Sequence, residues 1–581
     1  MRVWLRAEFR RAIEAAPAVA VIALPLVFAL LFWIGSRSAI WSAPFQSSPA
    51  AIPTGAIQFN DGTRSSGITF VHEDGADDQG YLVGLMGSGL ALFDYDNDEL
   101  IDAYFLNGRA LPFQDGKVMP TTANALYRNI GENRFFEVSK PSRSNVSLYS
   151  LGAAVADIDN DGFQDVALAN FGSVSLLMNC GDGTFVDATV AAGLENADVA
   201  FGAGIAFLDA DNDGDLDLYV ADYVQFDFER FQQLARQSYP YPPGPEQFEH
   251  RADHLFENKG DGTLVDISES AGIAAIKRPS MGVVCGDFDG DHDTDIYVCC
   301  DARPNLLLRN NGHAVFSQDA ELYGAAFNES GVPVGSMGAE PGDINHDGTE
   351  DLFVTDYSAQ LPIMFKNLGD IGFEDASRSS RAGRDAVSHA NWGAGLFDFD
   401  NDGDRDLMIG NGHLLKWASR IEQITSYKVR NTLMANNGKG IFENVTDGGG
   451  SGMSLVESTR GMGFDDMDND GDIDCVISNN DGPAHYLENQ TAHSNHWVEI
   501  LLRGNSFNRD GVGARVKVIS GDSVQVSERR SGRSYQSHYG SKLHFGLGHR
   551  SNDVTIEVNW LGKTSRHTGL KTNQTHLLHQ P

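Results

Sequence analysis

The chain has 581 residues, with 80 Asp and Glu against 43 Lys and Arg, for a formal net charge of −37. That length has material for two or more cores. A field of that sign repels nucleic acid, whose recognition needs basic patches, so no nucleic-acid partner is expected.

The charge is uneven along the chain. Residues 491–581 carry 12 Lys and Arg against 6 Asp and Glu, residues 1–43 carry 5 against 2, and the stretch between them holds −46. At the start, Arg2, Arg6, Arg10 and Arg11 precede a charge-free run from Ala15 to Ile34. Twenty such residues suffice to span a bilayer, with Pro17 and Pro25 bending the span. The arginines then stay inside and the bulk of the chain lies outside, periplasmic or extracellular. A cleaved signal peptide, cut near Ser36-Arg-Ser38, is the rival reading. The length of the run favours the anchor. Residues 1–43 are therefore read as a cytoplasmic stub and membrane anchor with linker, 44–490 as a repeat domain and 491–581 as a C-terminal β domain.

Seven loops of the form D-x-D/N-x-D-G-x-x-D organise the middle. The first has Asp94, Asp96, Asp98 and Asp102, with Glu99 in the glycine position. Asp157, Asp159, Asp161 and Asp165 make the second, and Asp209, Asp211, Asp213 and Asp217 the third. Asp287, Asp289, Asp291 and Asp295 make the fourth, with His292 in the glycine position. The fifth has Asp343, Asn345, Asp347 and Asp351; the sixth Asp398, Asp400, Asp402 and Asp406; the seventh Asp466, Asp468, Asp470 and Asp474. Four oxygen donors in nine residues suit a hard cation, and calcium, which takes six to eight oxygens, fits best. Up to seven Ca²⁺ are expected. Glycine at the sixth position permits a sharp turn toward the ion, so copies one and four are expected to be strained or to bind more weakly.

The loops are not EF-hands, because position twelve is Leu168 in copy two and Val220 in copy three, where a glutamate would be needed. Strand-like runs flank them, such as Phe201-Gly-Ala-Gly-Ile-Ala-Phe207 before and Asp217-Leu-Tyr-Val-Ala-Asp222 after. An Asn-x-Gly turn follows most loops, at Asn129, Asn179, Asn258, Asn310, Asn367 and Asn436, with Asn489 a degenerate seventh. Asparagine and glycine supply the positive φ of tight hairpins. Each unit then has four strands. Seven units predict an all-β seven-bladed propeller with calcium-binding blade loops, and Ile57–Val71 can supply the strand that closes the ring.

The gap between loops three and four is the longest. It holds Tyr223-Val-Gln-Phe-Asp-Phe-Glu-Arg-Phe231 and Tyr239-Pro-Tyr-Pro-Pro-Gly-Pro245, which read either as a lid or recognition loop or as rim packing. Asn107, Asn170, Asp222, Asp356, Asn411 and Asn479 end the strands after the loops and are read mainly as turn caps. His389 and His413 lie near Trp392 and either join a pocket there or are structural. Of five cysteines, Cys285 and Cys299 flank one loop, as a disulfide or as two buried thiols.

The C-terminal strands are read as Trp497–Leu502, Ala514–Ile519, Val524–Arg529 and Val554–Trp560. The loops resemble FG-GAP (VCBS-type) repeats. Asn508-Arg-Asp-Gly-Val-Gly-Ala-Arg-Val516, Ser531-Gly-Arg-Ser-Tyr-Gln-Ser537 and Leu543-His-Phe-Gly-Leu-Gly548 resemble an ASPIC/UnbV domain. The pairing resembles bacterial relatives of cartilage acidic protein. Trp560-Leu-Gly562 departs from a Trp-Pro-x-Gly pattern common there, and a shifted turn is expected.

Two functions remain open. One is a calcium-stabilised, membrane-anchored extracytoplasmic binding or adhesion module for a protein or glycan. The other is an enzyme of isomerase, cyclase or lyase type with a pocket at the propeller face and the ASPIC/UnbV domain. No acid, base or nucleophile is named by the sequence: a nucleophile elbow and His-Glu-x-x-His are both absent.

Overall fold

The apolar runs before the loops and the alternating runs after them become strands. The computed structural model describes residues 57–75, 80–111, 122–238, 240–505 and 507–581. The expected membrane span, 15–34, lies outside these residues. Among the described residues no helix is long and apolar enough to cross a membrane.

Seven sheets have four antiparallel strands each and follow one another along the chain in a propeller-like, all-β arrangement. In sheet two the order is Ser150–Ala156, Asp165–Asn170, Ser173–Asn179, Phe185–Asp187, and the second aspartate loop joins the first two strands. The first strands of sheets one and three to seven are Leu90–Phe93, Gly202–Leu208, Ser280–Gly286, Ala339–Gly342, Asn391–Phe397 and Thr459–Asp465. Sheet seven takes its fourth strand, Phe59–Asp61, from the start of the chain, with Phe59 opposite Asn489. That is the closing strand expected within 57–71.

The first strands pack against one another in series. Gly461 N donates to Ser88 O at 3.0 Å, which brings the seventh back to the first. The packing explains the glycines in these strands. A Cβ on Gly204 would sit 2.2 Å from Met281 O, and one on Gly461 would sit 2.7 Å from Ser88 O.

The C-terminal strands form two sheets. Leu543–Gly548, His496–Arg503 and Thr575–His579 make one; Ser523–Glu528, Arg515–Ser520, Val554–Asn559 and Thr564–Leu570 make the other. Val498, Ile500, Val516, Phe545, Ile556 and Trp560 share their core. The departure at Trp560 is a hairpin turn in which Leu561 and Gly562 both have positive φ, 52° and 95°. Strands Val554–Asn559 and Thr564–Leu570 pair across it.

Between these sheets, residues 530–540 run along the first strands and bond to all seven. Leu92 N donates to His538 O, Ala153 N to Gln536 O and Phe207 N to Ser531 O. Arg530 Nε donates to Cys285 O at 2.9 Å. Ser534 N donates to Ala339 O, Ser534 Oγ to Ala394 O, and Gly540 N to Asp465 Oδ2. Inner strands have backbone groups that need partners once water is excluded, and this segment supplies them. Its charges are paired too. Arg533 lies bidentate on Glu340, at 2.6 and 3.1 Å, and Arg530 pairs with Glu350 and Glu528.

All five cysteines are free thiols. Cys285 packs with Val283, Ile296 and Cys300, whereas Cys299 packs with Val284, Tyr297 and Leu352. The two therefore face opposite sides of sheet four, and the disulfide alternative fails on strand alternation.

The hub packing gives a direct test. Gly204→Ala should destabilise the chain by about 3 kcal/mol or more, because the new methyl meets backbone. Gly448→Ala, with nothing within 4 Å of its Cβ position, should change stability by roughly 0.5 kcal/mol or less. Denaturant midpoints of the two variants decide it, and equal effects would contradict the packing.

Candidate metal centres and the opposite face

Each aspartate loop folds back onto its own carboxylates. Asp157 accepts N–H groups from Asp161 and Gly162, Asp398 from Asp402 and Gly403, and Asp466 from Asp470 and Gly471, at 2.8–3.1 Å. The fifth-position aspartate accepts the N–H two residues on in all seven copies. The fourth and sixth residues have positive φ, as at Asn160 (61°) and Gly162 (100°). Asparagine, which tolerates that region, fills the fourth position in copies one, two, three, six and seven. Glu99 and His292 adopt φ of 71° and 75° at the sixth, so copies one and four keep the turn with a side chain that disfavours it.

The turns bring carboxylates together. One oxygen from each of Asp94, Asp96 and Asp102 lies within 4.8 Å of the others, and the same holds for Asp157, Asp159 and Asp165, for Asp209, Asp211 and Asp217, and for Asp398, Asp400 and Asp406. In copy four the trio is Asp287, Asp289 and Asp291. In copy five Asn345 Nδ2 donates to Asp351 Oδ2 at 3.1 Å. In copy seven Asp474 Oδ2 accepts the Tyr486 hydroxyl and Asp468 Oδ2 accepts Asn133 Nδ2, each at 2.8 Å.

Burial and crowding of like charge hold these groups toward protonation. Burial, helped by neighbouring aspartates, pushes Asp157, Asp209 and Asp402 up to about 7 and Asp217 up to about 8. Burial pushes Asp466 up to about 8 as well, with Glu499 adding to the effect. Asp96 Oδ1 and Asp209 Oδ1 are buried without a hydrogen-bond partner. Oxygen donors alone, convergent and short of positive charge, fit a hard divalent cation.

Copies one, four and five carry a cation of their own. Arg128 Nη2 lies 2.8 Å from Asp96 and 2.9 Å from Asp98. Arg309, at the corresponding place in sheet four, bonds Asp289 through Nε at 2.6 Å. Both precede the turn asparagine, as does Lys366 in copy five, whose Nζ lies 3.4 Å from Asp347 Oδ2; copies two, three, six and seven have Met178, Glu257, Ala435 and Glu488 there.

The ninth-position aspartate and the turn asparagine link loop to sheet. Oδ2 of Asp102, Asp165, Asp217, Asp295, Asp351, Asp406 and Asp474 accepts the N–H of the loop's second residue at 2.9–3.4 Å. Oδ1 accepts the N–H of the turn asparagine at 2.7–2.9 Å. The asparagine amide then reaches the carbonyl of the second residue in the preceding sheet's loop: Asn179 to Tyr95, Asn258 to Ile158, Asn310 to Ala210, Asn367 to Phe288, Asn436 to Ile344, Asn489 to Phe399 and Asn129 to Met467, at 2.7–3.0 Å. Asn489, degenerate by sequence, makes the full set of bonds. A second chain of contacts runs the other way. Asn97 reaches Gly162 O, Asn160 Asp215, Asn212 Asp293, His346 Asp404, Asn401 Asp472 and Asn469 Glu99 O. Gly290 stands at the fourth position of the remaining loop.

The other sequence candidates fall mostly on the opposite ends of the strands. Asn170, Asp222, Asn411 and Asn479 cap turns there. His413 faces Tyr357 Oη at 3.2 Å and Glu422 at 3.3 Å, and His389 faces Thr425 at 3.2 Å; neither lines the cavity beside Trp392. The 223–252 insertion forms the helix Phe228–Ser238 and packs Phe226, Phe228 and Phe231 around Tyr81. Its Tyr241–Pro245 turn borders a cavity of about 220 Å³ together with Trp392. Of the C-terminal histidines, His538 is buried in the hub, His544 faces Asn401 at 2.7 Å and His549 is exposed, so they form no cluster.

Comparison with known proteins agrees with these repeats. Residues 504–581 match the ASPIC and UnbV family model, and residues 157–220, 248–298 and 287–354 match the FG-GAP-like repeat. The chain thus carries FG-GAP-like repeats and an ASPIC/UnbV domain. It is 23% identical over 467 residues to cartilage acidic protein 1 of Mus musculus, covering 74% of this chain and 65% of the relative. Against the Homo sapiens protein it is 22% identical over 442 residues, covering 71% and 60%. The chain spans less than two thirds of the length of these relatives. Among solved structures, one of an Agrocybe aegerita lectin recognising non-reducing terminal N-acetylglucosamine aligns with TM-score 0.38 and 15% identity, covering 68% of this chain and 86% of that one. One of BBS1N in complex with ARL6DN aligns with TM-score 0.39 and 7% identity, covering 75% and 97%.

The asparagine links predict a specific loss. Asn258→Ala leaves the carbonyls of Ile158 and Leu216 without their amide donor and should cost about 2–4 kcal/mol. Asn437→Ala, at an exposed turn position, should cost about 0.5 kcal/mol or less. Matching denaturation midpoints for the two would rule the links out as a main source of stability.

Proposed function

We propose that this chain is a calcium-stabilised extracytoplasmic module that binds a protein or glycan, held at the membrane by residues 15–34. In this reading the seven sheets are the blades of one closed propeller. The first, third, fifth and ninth residues of each loop hold up to seven Ca²⁺. The observation that carries it is the convergence of three carboxylates within 4.8 Å in five of the loops, where only protons or a cation relieve the repulsion. Calcium supplies charge neutralisation and oxygen coordination there; no chemical step is assigned to it.

The magnitudes favour a structural ion. Extracellular modules bind calcium at about 10⁻⁴ to 10⁻³ M. At about ten times Kd each site stabilises the fold by roughly 1.4 kcal/mol. Seven such sites give about 10 kcal/mol, which is comparable to the stability of a whole domain. Copies one and four, partly neutralised by Arg128 and Arg309, contribute less.

The enzyme reading gains two cavities, one of about 760 Å³ lined by Asp94, Asp161, Arg509, Asp510, Arg529 and Lys542 and the smaller one beside Trp392. The lining of the smaller includes one carboxylate, Asp301, and no histidine or cysteine among the described residues. Such a wall suits holding a molecule more than transforming it.

Two outcomes check the proposal. Millimolar Ca²⁺ added after chelation should raise the unfolding temperature by many degrees, and Asp402→Ala should remove more of that gain than Asp98→Ala. No calcium shift, or equal losses, would count against it. The anchor is tested separately: protease added outside intact cells, once any outer envelope is opened, should digest the propeller-bearing part. Protection of that part would overturn the topology, and a mature soluble chain beginning near Ala39 would replace the anchor with a signal peptide.

A further inference from the structure

The cavity beside Trp392 lies on the face where strand ends and the 223–252 insertion meet. Met281, Met337 and Trp392 come from the first strands of sheets four, five and six or the turns beside them, Leu85 and Met86 from the short helix Leu82–Met86, and Tyr241–Pro245 from the insertion. Tyr535, at the tip of the segment that runs through the hub, stacks edge-on against Trp392 with ring centroids 5.0 Å apart and donates its hydroxyl to Met86 O at 3.0 Å. Trp417 Nε1 donates to Pro240 O at 3.0 Å, which fixes the prolyl turn beside the cavity. The space is thus framed by packed elements and walled by apolar and aromatic groups, as small-molecule sites are.

Its charge is one-sided. Asp301 lines it and accepts the Tyr223 hydroxyl at 2.7 Å through Oδ2. Asp356 stands across Gly335: a Cβ there would lie 3.6 Å from Asp301 Oδ1 and 3.6 Å from Asp356 Oδ1. Asp356 is buried, and its Oδ2 has no hydrogen-bond partner. Burial pushes Asp301 up to about 6 and Asp356 up to about 8. Nearby cations are committed elsewhere. Arg460 lies on the Trp392 ring at 3.9 Å and donates to the carbonyls of Leu85, Thr459 and His413. Arg303 pairs with Glu246.

We propose that this cavity binds a small organic amine, with the ammonium on Asp301 and a single-ring or short aliphatic body against Trp392, Met281 and Met337. The ammonium supplies the positive charge that Asp301 lacks. A carboxylic acid of the same shape is excluded by like charge, and a neutral alcohol forgoes the ion pair. This small-molecule site goes beyond the protein or glycan binding proposed above and does not depend on it.

The test is calorimetric titration of the calcium-loaded, full-length protein with phenethylamine, 2-phenylethanol and 3-phenylpropionate. Phenethylamine should bind most tightly and 3-phenylpropionate not measurably. Asp301→Asn should weaken phenethylamine by at least about tenfold while leaving 2-phenylethanol within about twofold. Leu414→Trp, at the half-exposed edge of the cavity, should abolish binding of both, and it serves as the second variant if Asp301→Asn does not fold. Equal affinity for amine and acid, an Asp301→Asn variant that binds the amine as well as the parent, undiminished binding in Leu414→Trp, or no amine binding at all would overturn the proposal.

Discussion

The turn asparagine is the interaction on which the rest of the architecture depends. One amide group bonds two carbonyls, at 3.0–3.2 Å within its own sheet and at 2.7–3.0 Å in the loop of the preceding one. Seven repetitions pass from sheet two to sheet one, onward through sheet seven, and from sheet one back to sheet seven. Each target carbonyl belongs to an aspartate loop. Anything that stiffens a loop therefore also stiffens the seam beside it, which is how a bound cation would act on the fold as a whole.

The centre is held differently. First strands approach one another through glycine, and residues 530–540 give their backbone groups partners. Buried pairs such as Arg533 with Glu340 add little net stability against apolar replacements but are costly to break singly, so they favour one register of this segment over others. The outer face and the hub thus use opposite means: crowded carboxylates that call for a cation in the loops, and arginines already matched to glutamates in the hub.

Much of this was legible in the residues. The loop spacing and the Asn-x-Gly turns located six of the seven units in full, and Phe59–Asp61 falls within the predicted closing stretch. Cys285 and Cys299 stayed ambiguous because loop spacing does not say which face of a strand a side chain takes. Two features depended on three-dimensional closure. Arg128 and Arg309 look like ordinary strand residues until the hairpin places them over Asp96 and Asp289. The Ser531–Ser537 motif reads as part of a separate domain, and nothing local says that it and its flanking residues, 530–540, lie against seven strands some 75 to 446 residues away. The cavity likewise joins Trp392, Asp301 and Tyr241, which share no motif.

Hydrogen exchange measured residue by residue, with calcium and after chelation, tests the coupling of loop to seam most directly. If a cation in each loop supports the neighbouring sheet through the asparagine, chelation will speed exchange in the loops and in the Asn-x-Gly turns together, most in copies two, three and six, while residues 530–540 stay protected. Exchange that is unchanged by chelation, or that rises in the loops and leaves every turn as before, would contradict the account.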